Sequence, residues 1–118
     1  MDKTVLLIEG QPAIRAALRA RFEVVGIEVK EATTSRQATQ IMSQPNATIK
    51  AVVCGIDMSG VNGEAFLAAL QGLDPAVRVF FFSSTEPKFE LPVGAQVFAK
   101  PSALMELYKA VRDEILGG

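Results

Sequence analysis

The chain has 118 residues, 49% hydrophobic and 21% charged, with a formal net charge of −1, which predicts one folded soluble domain over residues 1–118. The absence of histidine excludes Ser-His-Asp and Cys-His catalysis and His-based metal sites, and the single cysteine excludes an internal disulfide. The near-neutral charge indicates no nucleic-acid footprint, and the short apolar runs and the absence of a visible signal peptide favour a cytoplasmic protein with no membrane segment.

The first half of the chain alternates strand-like and helix-like segments. An aliphatic run at residues 4–8 predicts a buried strand, and Pro12 begins a helix whose apolar residues recur at spacings of three and four. Residues 27–32 alternate apolar and charged side chains, which predicts a second strand near a sheet edge. Thr33 or Thr34 can cap the short helix that follows.

The second half of the chain continues the alternation. Further strands are predicted at residues 49–54, 77–82 and 96–99, and the first two are apolar almost throughout, which indicates cover on both faces. Ser102 is predicted to cap the last helix. The helix between the strands at 49–54 and 77–82 is predicted to pack through one face, which carries Ala65, Phe66, Ala69 and Leu70.

The order of these elements predicts an α/β fold. Strands and helices that alternate at this spacing favour right-handed βαβ units and a doubly wound parallel sheet with helices on both faces. Functional residues in such sheets sit at the carboxyl ends of the strands. We therefore expect the site among the residues found there, which are Glu9, Gly10, Gly55, Ser83 and Lys100.

Four segments at these strand ends resemble the receiver domains of response regulators in two-component (phosphorelay) signalling. Residues 5–15 are similar to the first strand, acidic pair and first helix of the family, and residues 55–63 to the segment that begins at the phospho-acceptor. Residues 80–84 resemble the fourth strand with its hydroxyl, and Lys100-Pro101 resembles the Lys-Pro pair, which is often joined by a cis peptide bond. The resemblance covers nearly the whole chain and implies a single CheY-like, flavodoxin-like, five-stranded sheet of order 2-1-3-4-5.

The resemblance also implies a scheme from which this chain departs. In receivers, carboxylates at the ends of the first and third strands hold Mg²⁺, and the one on the third strand accepts a phosphoryl group that a Ser or Thr and a Lys then contact. Here Glu9, Ser83 and Lys100 are kept, but Gly10 replaces a metal ligand and Gly55 replaces the acceptor. The resemblance therefore implies a pseudo-receiver, not an enzyme, with a vestigial pocket, no metal and no cofactor, which signals by phosphorylation-independent protein–protein interaction.

Several alternatives remain open at this stage. Asp57 lies two residues after the acceptor position and would make the chain an atypical receiver if it is phosphorylated, and a small ligand or redox state would be another route of control. A flavin or cobalamin site is disfavoured, because the loop after the first strand lacks a hydroxyl-rich phosphate cradle and the chain lacks histidine. Glu9 can instead form a partly exposed structural ion pair with Lys100. Cys54 is expected to be a core thiol.

The segment that carries output in receivers is altered as well. Residues 84–93 contain two prolines and are short by comparison with the family, so we expect the fourth helix to be shortened or lost. Val97 stands where the family has a switching aromatic residue. Apolar side chains near this segment are expected to form a partner surface, and they are Phe89, Leu91, Val97 and Phe98. The implied partners are other signalling proteins (a sensor kinase, a regulator or an output domain), and a homodimer remains open.

Overall fold

The structure is a computed structural model, and it describes residues 3–45, 48–55, 61–84, 91 and 94–117. The side chains of residues 61–64 are outside this description. Asp57 and Phe89 lie outside the described residues, and so does most of the segment in which a shortened fourth helix is predicted. Those three predictions therefore stay predictions.

Within the described residues, the strands are β1 Thr4–Ile8, β2 Glu28–Ala32, β3 Ile49–Cys54, β4 Arg78–Ser83 and β5 Gln96–Ala99. They form one five-stranded sheet in the order β2-β1-β3-β4-β5. Every neighbouring pair is parallel. The predicted α/β architecture and its strand order are confirmed, and β3 and β5 have the predicted limits.

Four helices are described, α1 Pro12–Val24, α2 Ser35–Met42, α3 Val61–Leu73 and α4 Leu104–Leu116. Successive residues of a strand point to opposite faces of a sheet, so β1 contributes to two separate cores. One core packs the sheet against α2 and α3, and the other packs it against α1 and α4. The sheet is therefore covered on both faces, which explains why β1, β3 and most of β4 are apolar at nearly every position.

Local signals determine where α1 and α2 begin and end. Pro12 is the first residue of α1, as predicted, and Gly26 follows the helix with φ of 82°, a conformation that glycine adopts without strain. Of the two threonines that could cap α2, Thr34 is the cap, because its hydroxyl accepts the backbone N–H of Gln37 at 3.2 Å.

Two predictions about the other helices are wrong. The residue that precedes α4 is Ala103, which makes no side-chain capping bond, so Ser102 is not the cap. In α3, Phe66 and Leu70 are buried as predicted, but Ala65 and Ala69 are exposed, and Leu67 is the third buried side chain. The larger apolar side chains determine which face of α3 is buried, because each buries more surface than an alanine. No helix in the described part of the chain is long and apolar enough to span a membrane.

Candidate functional site

The carboxyl ends of β1, β3 and β5 bring three of the predicted site residues together. Glu9 follows β1, Gly55 follows β3 and Lys100 follows β5. Backbone bonds extend the sheet into this site, because the N–H of Gly55 donates to the carbonyl of Ile8 at 2.7 Å, and the N–H of Lys100 donates to the carbonyl of Ser83 at 2.9 Å. Gly55 is therefore held by the neighbouring strand β1, and Lys100 by the neighbouring strand β4.

Glu9 and Lys100 form an ion pair in the interior of the protein. The ammonium Nζ of Lys100 lies 3.0 Å from Oε1 and 3.1 Å from Oε2 of Glu9, and it donates to the backbone carbonyl of Gly55 at 2.9 Å. The side chains of Glu9 and Lys100 are 1% and 10% exposed. The expected ion pair is present, but the prediction that it is partly exposed is wrong. Removing one partner of such a buried pair costs about 3–5 kcal/mol, whereas a surface pair contributes about 1 kcal/mol or less.

The backbone around Glu9 holds its carboxylate in place. The backbone N–H of Gln11 donates to Oε2 of Glu9 at 2.9 Å, and Nη1 of Arg15 donates to the backbone carbonyl of Glu9 at 2.8 Å. Arg15 also lies near Glu31, with Nε 3.9 Å from Oε1. The start of α1 therefore fixes both ends of this glutamate, and its carboxylate cannot move without breaking these bonds.

Lys100 is held from a third side by an aromatic ring. Its Nζ lies 5.7 Å from the centre of the Phe82 ring on β4, within the range of a cation–π contact. The peptide bond between Lys100 and Pro101 is cis, as predicted. The ammonium group thus faces two carboxylate oxygens, one carbonyl oxygen and one ring, and all of these belong to the chain itself.

The Oε1 atom of the Glu9 carboxylate is directed at Gly55. A Cβ atom built on Gly55 would overlap Oε1 of Glu9, and it would lie 3.0 Å from Cδ of Glu9 and 3.2 Å from the carbonyl oxygen of Ile8. Oε1 is buried and has no hydrogen-bond partner among the described residues, although Lys100 is close to it. The glutamate therefore occupies the space in which any side chain at position 55 would begin.

The described donors do not fit a Mg²⁺ ion, which the receiver resemblance implies for this end of the sheet. Both oxygens of Glu9 and the carbonyl oxygen of Gly55 already face the ammonium of Lys100. Gly10 offers no side-chain oxygen, and the described residues contain no group of three Asp, Glu, His or Cys side chains that could hold a metal. Mg²⁺ requires several oxygen ligands, and here the ammonium group of Lys100 already interacts with the oxygens of Glu9 and Gly55.

Cys54 borders this site from within the core. The thiol is buried, and burial, followed by the negative charge of Glu9, raises its pKa to about 12. A reactive thiol needs an accessible thiolate beside positive charge. The prediction that Cys54 is a core thiol is therefore confirmed.

Ser83 and Gly10 are the other predicted residues of the pocket that the structure describes. Ser83 is half-buried at the end of β4. Gly10 is exposed, and a Cβ atom built there would meet nothing within 4 Å. The contrast between Gly10 and Gly55 shows that only the second of these two glycines is enclosed by its surroundings.

The predicted partner surface is only partly exposed. Val97 on β5 is 41% exposed. Leu91 and Phe98 are partly buried, and they pack against the two opposite cores. Of the three described residues, Val97 is therefore the one with the largest exposed fraction, and the use of this surface by a partner stays a prediction.

Three groups of the site were missed at the sequence level. They are the backbone N–H of Gln11, the guanidinium group of Arg15 and the ring of Phe82. A signal for Arg15 existed, because it lies in the first turn of the helix that follows β1, close to the strand end. A backbone donor and a neighbouring ring carry no such signal in the sequence.

Comparison with known proteins places the whole chain beside signalling receivers. The model of the response regulator receiver domain matches residues 5–112. Sensor kinase CckA of Brucella abortus (strain 2308) is 29% identical over 115 residues, which cover 93% of this chain but only 12% of the kinase. The chain therefore spans about an eighth of that relative's length.

Solved structures show the same fold. The receiver domain from hybrid histidine kinase CckA matches with a TM-score of 0.77 at 24% identity, over 95% of this chain and 98% of that domain. A response regulator receiver protein from Sinorhizobium medicae WSM419 matches with a TM-score of 0.79 at 18% identity, over 97% of this chain and 94% of that protein.

Proposed function

The chain belongs to the response regulator receiver domain family, and we propose that it is a pseudo-receiver, which signals through protein–protein contacts without being phosphorylated. Receiver domains of two-component systems interact with signalling proteins such as kinases. The proposal concerns how this particular receiver does so. In this proposal the protein keeps the fold and the interaction role of the family, and it does not undergo phosphoryl transfer.

One observation carries the proposal, namely the placement of Glu9 against Gly55. Phosphoryl transfer needs an oxygen nucleophile on the protein, and glycine has none. The space that an acceptor side chain would enter is filled by Oε1 of Glu9. The ammonium group of Lys100, which contacts the phosphoryl group in the family, is already paired. Position 55 therefore offers neither a nucleophile nor the room for one.

The relatives support a proposal for the class of partner. One relative is a sensor kinase, and one similar structure is a receiver domain from a hybrid histidine kinase. We propose a sensor kinase, a regulator or an output domain as the partner, in the cytoplasm, with no enzymatic activity, cofactor or nucleic-acid contact of this domain itself. The net charge of −1 supports the last point, because nucleic-acid binding depends on an excess of Lys and Arg.

The test is exposure of the purified protein to acetyl phosphate and Mg²⁺, followed by intact mass spectrometry. We expect no increase by the mass of a phosphoryl group, while a receiver that has an acceptor aspartate gains it under the same conditions. Amide NMR with Mg²⁺ and beryllofluoride is the second measurement, and we expect unchanged resonances for Gly55 and Lys100.

The variant Asp57→Asn separates the proposal from its alternative. A phosphoryl adduct on the wild-type protein that disappears in this variant would contradict the pseudo-receiver proposal and establish Asp57 as a relocated acceptor. An adduct that persists in the variant would contradict both hypotheses.

A further inference from the structure

The site contains its own anion and its own cation. The carboxylate of Glu9 is 1% exposed, and the ammonium of Lys100 that faces it is 10% exposed. The ammonium donates hydrogen bonds to Oε2 of Glu9 and to the carbonyl of Gly55, and it lies 3.0 Å from Oε1 of Glu9. The charges of the two side chains are therefore paired with each other.

The position of this anion distinguishes it from an ordinary structural ion pair. Oε1 of Glu9 lies between two groups, with Nζ of Lys100 3.0 Å away on one side and the backbone of Gly55 on the other, where a built Cβ atom would overlap it. An ion pair needs only the first of these contacts. In the resemblance that the sequence shows, position 55 is where the acceptor side chain starts. The carboxylate of Glu9 therefore lies where a ligand of this pocket would lie.

We propose that Glu9 is the resident ligand of this pocket: its carboxylate takes the place of the acceptor side chain, pairs with Lys100, and fills a site that accepts a small carboxylate when Glu9 is removed. This inference deepens the proposed function and rests on it. The Lys100 ammonium takes the place of the metal ion as the cation beside the carboxylate. The domain is then held in one state by its own side chains, with no added phosphoryl group.

The test is chemical rescue of the variant Glu9→Ala with sodium formate. This variant leaves the Lys100 ammonium without its carboxylate, beside a space of the right size for one small anion. We expect a melting temperature about 12–20 °C below that of the wild type, and we expect formate to restore part of the loss with saturation. Sodium chloride at the same ionic strength is expected to restore less.

Three control proteins isolate the site. The wild type and the variant Glu114→Ala, which breaks a half-exposed ion pair with Arg78, are expected to respond equally to formate and chloride. The double variant Glu9→Ala/Lys100→Met is expected to lose the response to formate. Equal effects of formate and chloride on folded Glu9→Ala would overturn the inference, and so would a formate response that survives loss of Lys100.

If Glu9→Ala does not fold, the variant Glu9→Gln is used to test whether the carboxylate holds the site. It keeps the shape of the side chain and removes its charge. We expect faster amide hydrogen exchange at Gly55 and Lys100, and shifted amide resonances there. Unchanged exchange and resonances would show that the carboxylate does not hold this site.

The outcomes for the two proposals are distinct. If formate does not rescue Glu9→Ala and the wild type takes up no phosphoryl group, the proposal that Glu9 is the resident ligand is wrong. The pseudo-receiver proposal is unaffected by that result. A phosphoryl adduct on the wild type overturns the pseudo-receiver itself.

Discussion

Adding a methyl group at position 55 probes the contact between Glu9 and Gly55 most directly. In Gly55→Ala the new Cβ overlaps Oε1 of Glu9 and lies 3.2 Å from the carbonyl oxygen of Ile8. Oε1 is the end of a flexible side chain, but Lys100 and the N–H of Gln11 hold its carboxylate. The overlap is therefore relieved only by weakening a buried ion pair or by moving β1 away from β3.

The matched control is Gly10→Ala, one residue after Glu9. Neither glycine has a positive φ, and a Cβ on Gly10 meets nothing within 4 Å. Both substitutions gain about 0.4–1 kcal/mol from the lower entropy of the unfolded chain, so this contribution cancels between them. Overpacking of a tight site costs about 1–3 kcal/mol, and we expect Gly55→Ala to be less stable than Gly10→Ala by that amount.

The measurement is equilibrium unfolding in urea, followed by circular dichroism, with thermal melting as a second readout. At this chain length, about 4 °C of melting temperature corresponds to 1 kcal/mol. Repeating the comparison in a Glu9→Ala background assigns the cost to the carboxylate. The gap between the two glycine variants is expected to fall below about 0.5 kcal/mol there, because the overlapping atom is gone.

Two results would refute this reasoning. The first is equal stability of Gly55→Ala and Gly10→Ala in the wild-type background. The second is a gap that persists after Glu9 is shortened, which would assign the cost to the carbonyl of Ile8. If Glu9→Ala is too unstable to measure, Glu9→Asp keeps the charge while withdrawing the carboxylate from Gly55.

Three further predictions concern the fold. Because the pKa of the Cys54 thiol is raised to about 12, the thiol keeps its proton in the folded state, whereas it loses the proton above about pH 9 in the unfolded chain. The free energy of unfolding should therefore fall by about 1.4 kcal/mol per pH unit between pH 9 and 12. Urea unfolding at a series of pH values should show a shallower fall for Cys54→Ala than for the wild type. Thr34→Ala should lower the unfolding free energy by about 1 kcal/mol, with Thr34→Ser close to wild type, and similar values for all three proteins would count against the capping bond. Gly26→Ala should destabilise the protein by about 1 kcal/mol, because residue 26 has φ of 82°. Gly72→Ala should stabilise the protein by about 0.5–1 kcal/mol, because residue 72 lies inside α3 and an added Cβ meets nothing within 4 Å. A higher melting temperature for Gly26→Ala than for Gly72→Ala would contradict both expectations.

The strands and helices could be predicted because their apolar residues recur at distinct spacings, whereas the order of the strands followed from the resemblance to receiver domains. The continuous apolar run of β3 and the short β5 were predicted to the residue, since buried parallel strands leave few other interpretations. The buried face of α3 was predicted incorrectly at Ala65 and Ala69, because alanine is compatible with either face. The cap of α4 was predicted incorrectly at Ser102, because a serine near a helix start does not by itself show where the helix begins.

The residues of the site could be predicted from the sequence, but the contacts between them could not. Parallel strand ends meet at one edge, which is enough to place Glu9 near Lys100. The burial of that pair depends on contacts from Gln11 and Phe82, which no spacing in the sequence indicates. The placement of Glu9 against Gly55 depends on the distance between two strands that are far apart in sequence, so only the folded structure contains it.

The overlap at Gly55 also bears on how such a receiver can change over generations. An aspartate at position 55 would supply an acceptor, but it would also bring a Cβ atom into the place held by Oε1 of Glu9. We therefore expect that substitution to destabilise the protein unless Glu9 changes with it. The side chain of Glu9 thus opposes the introduction of an acceptor at position 55.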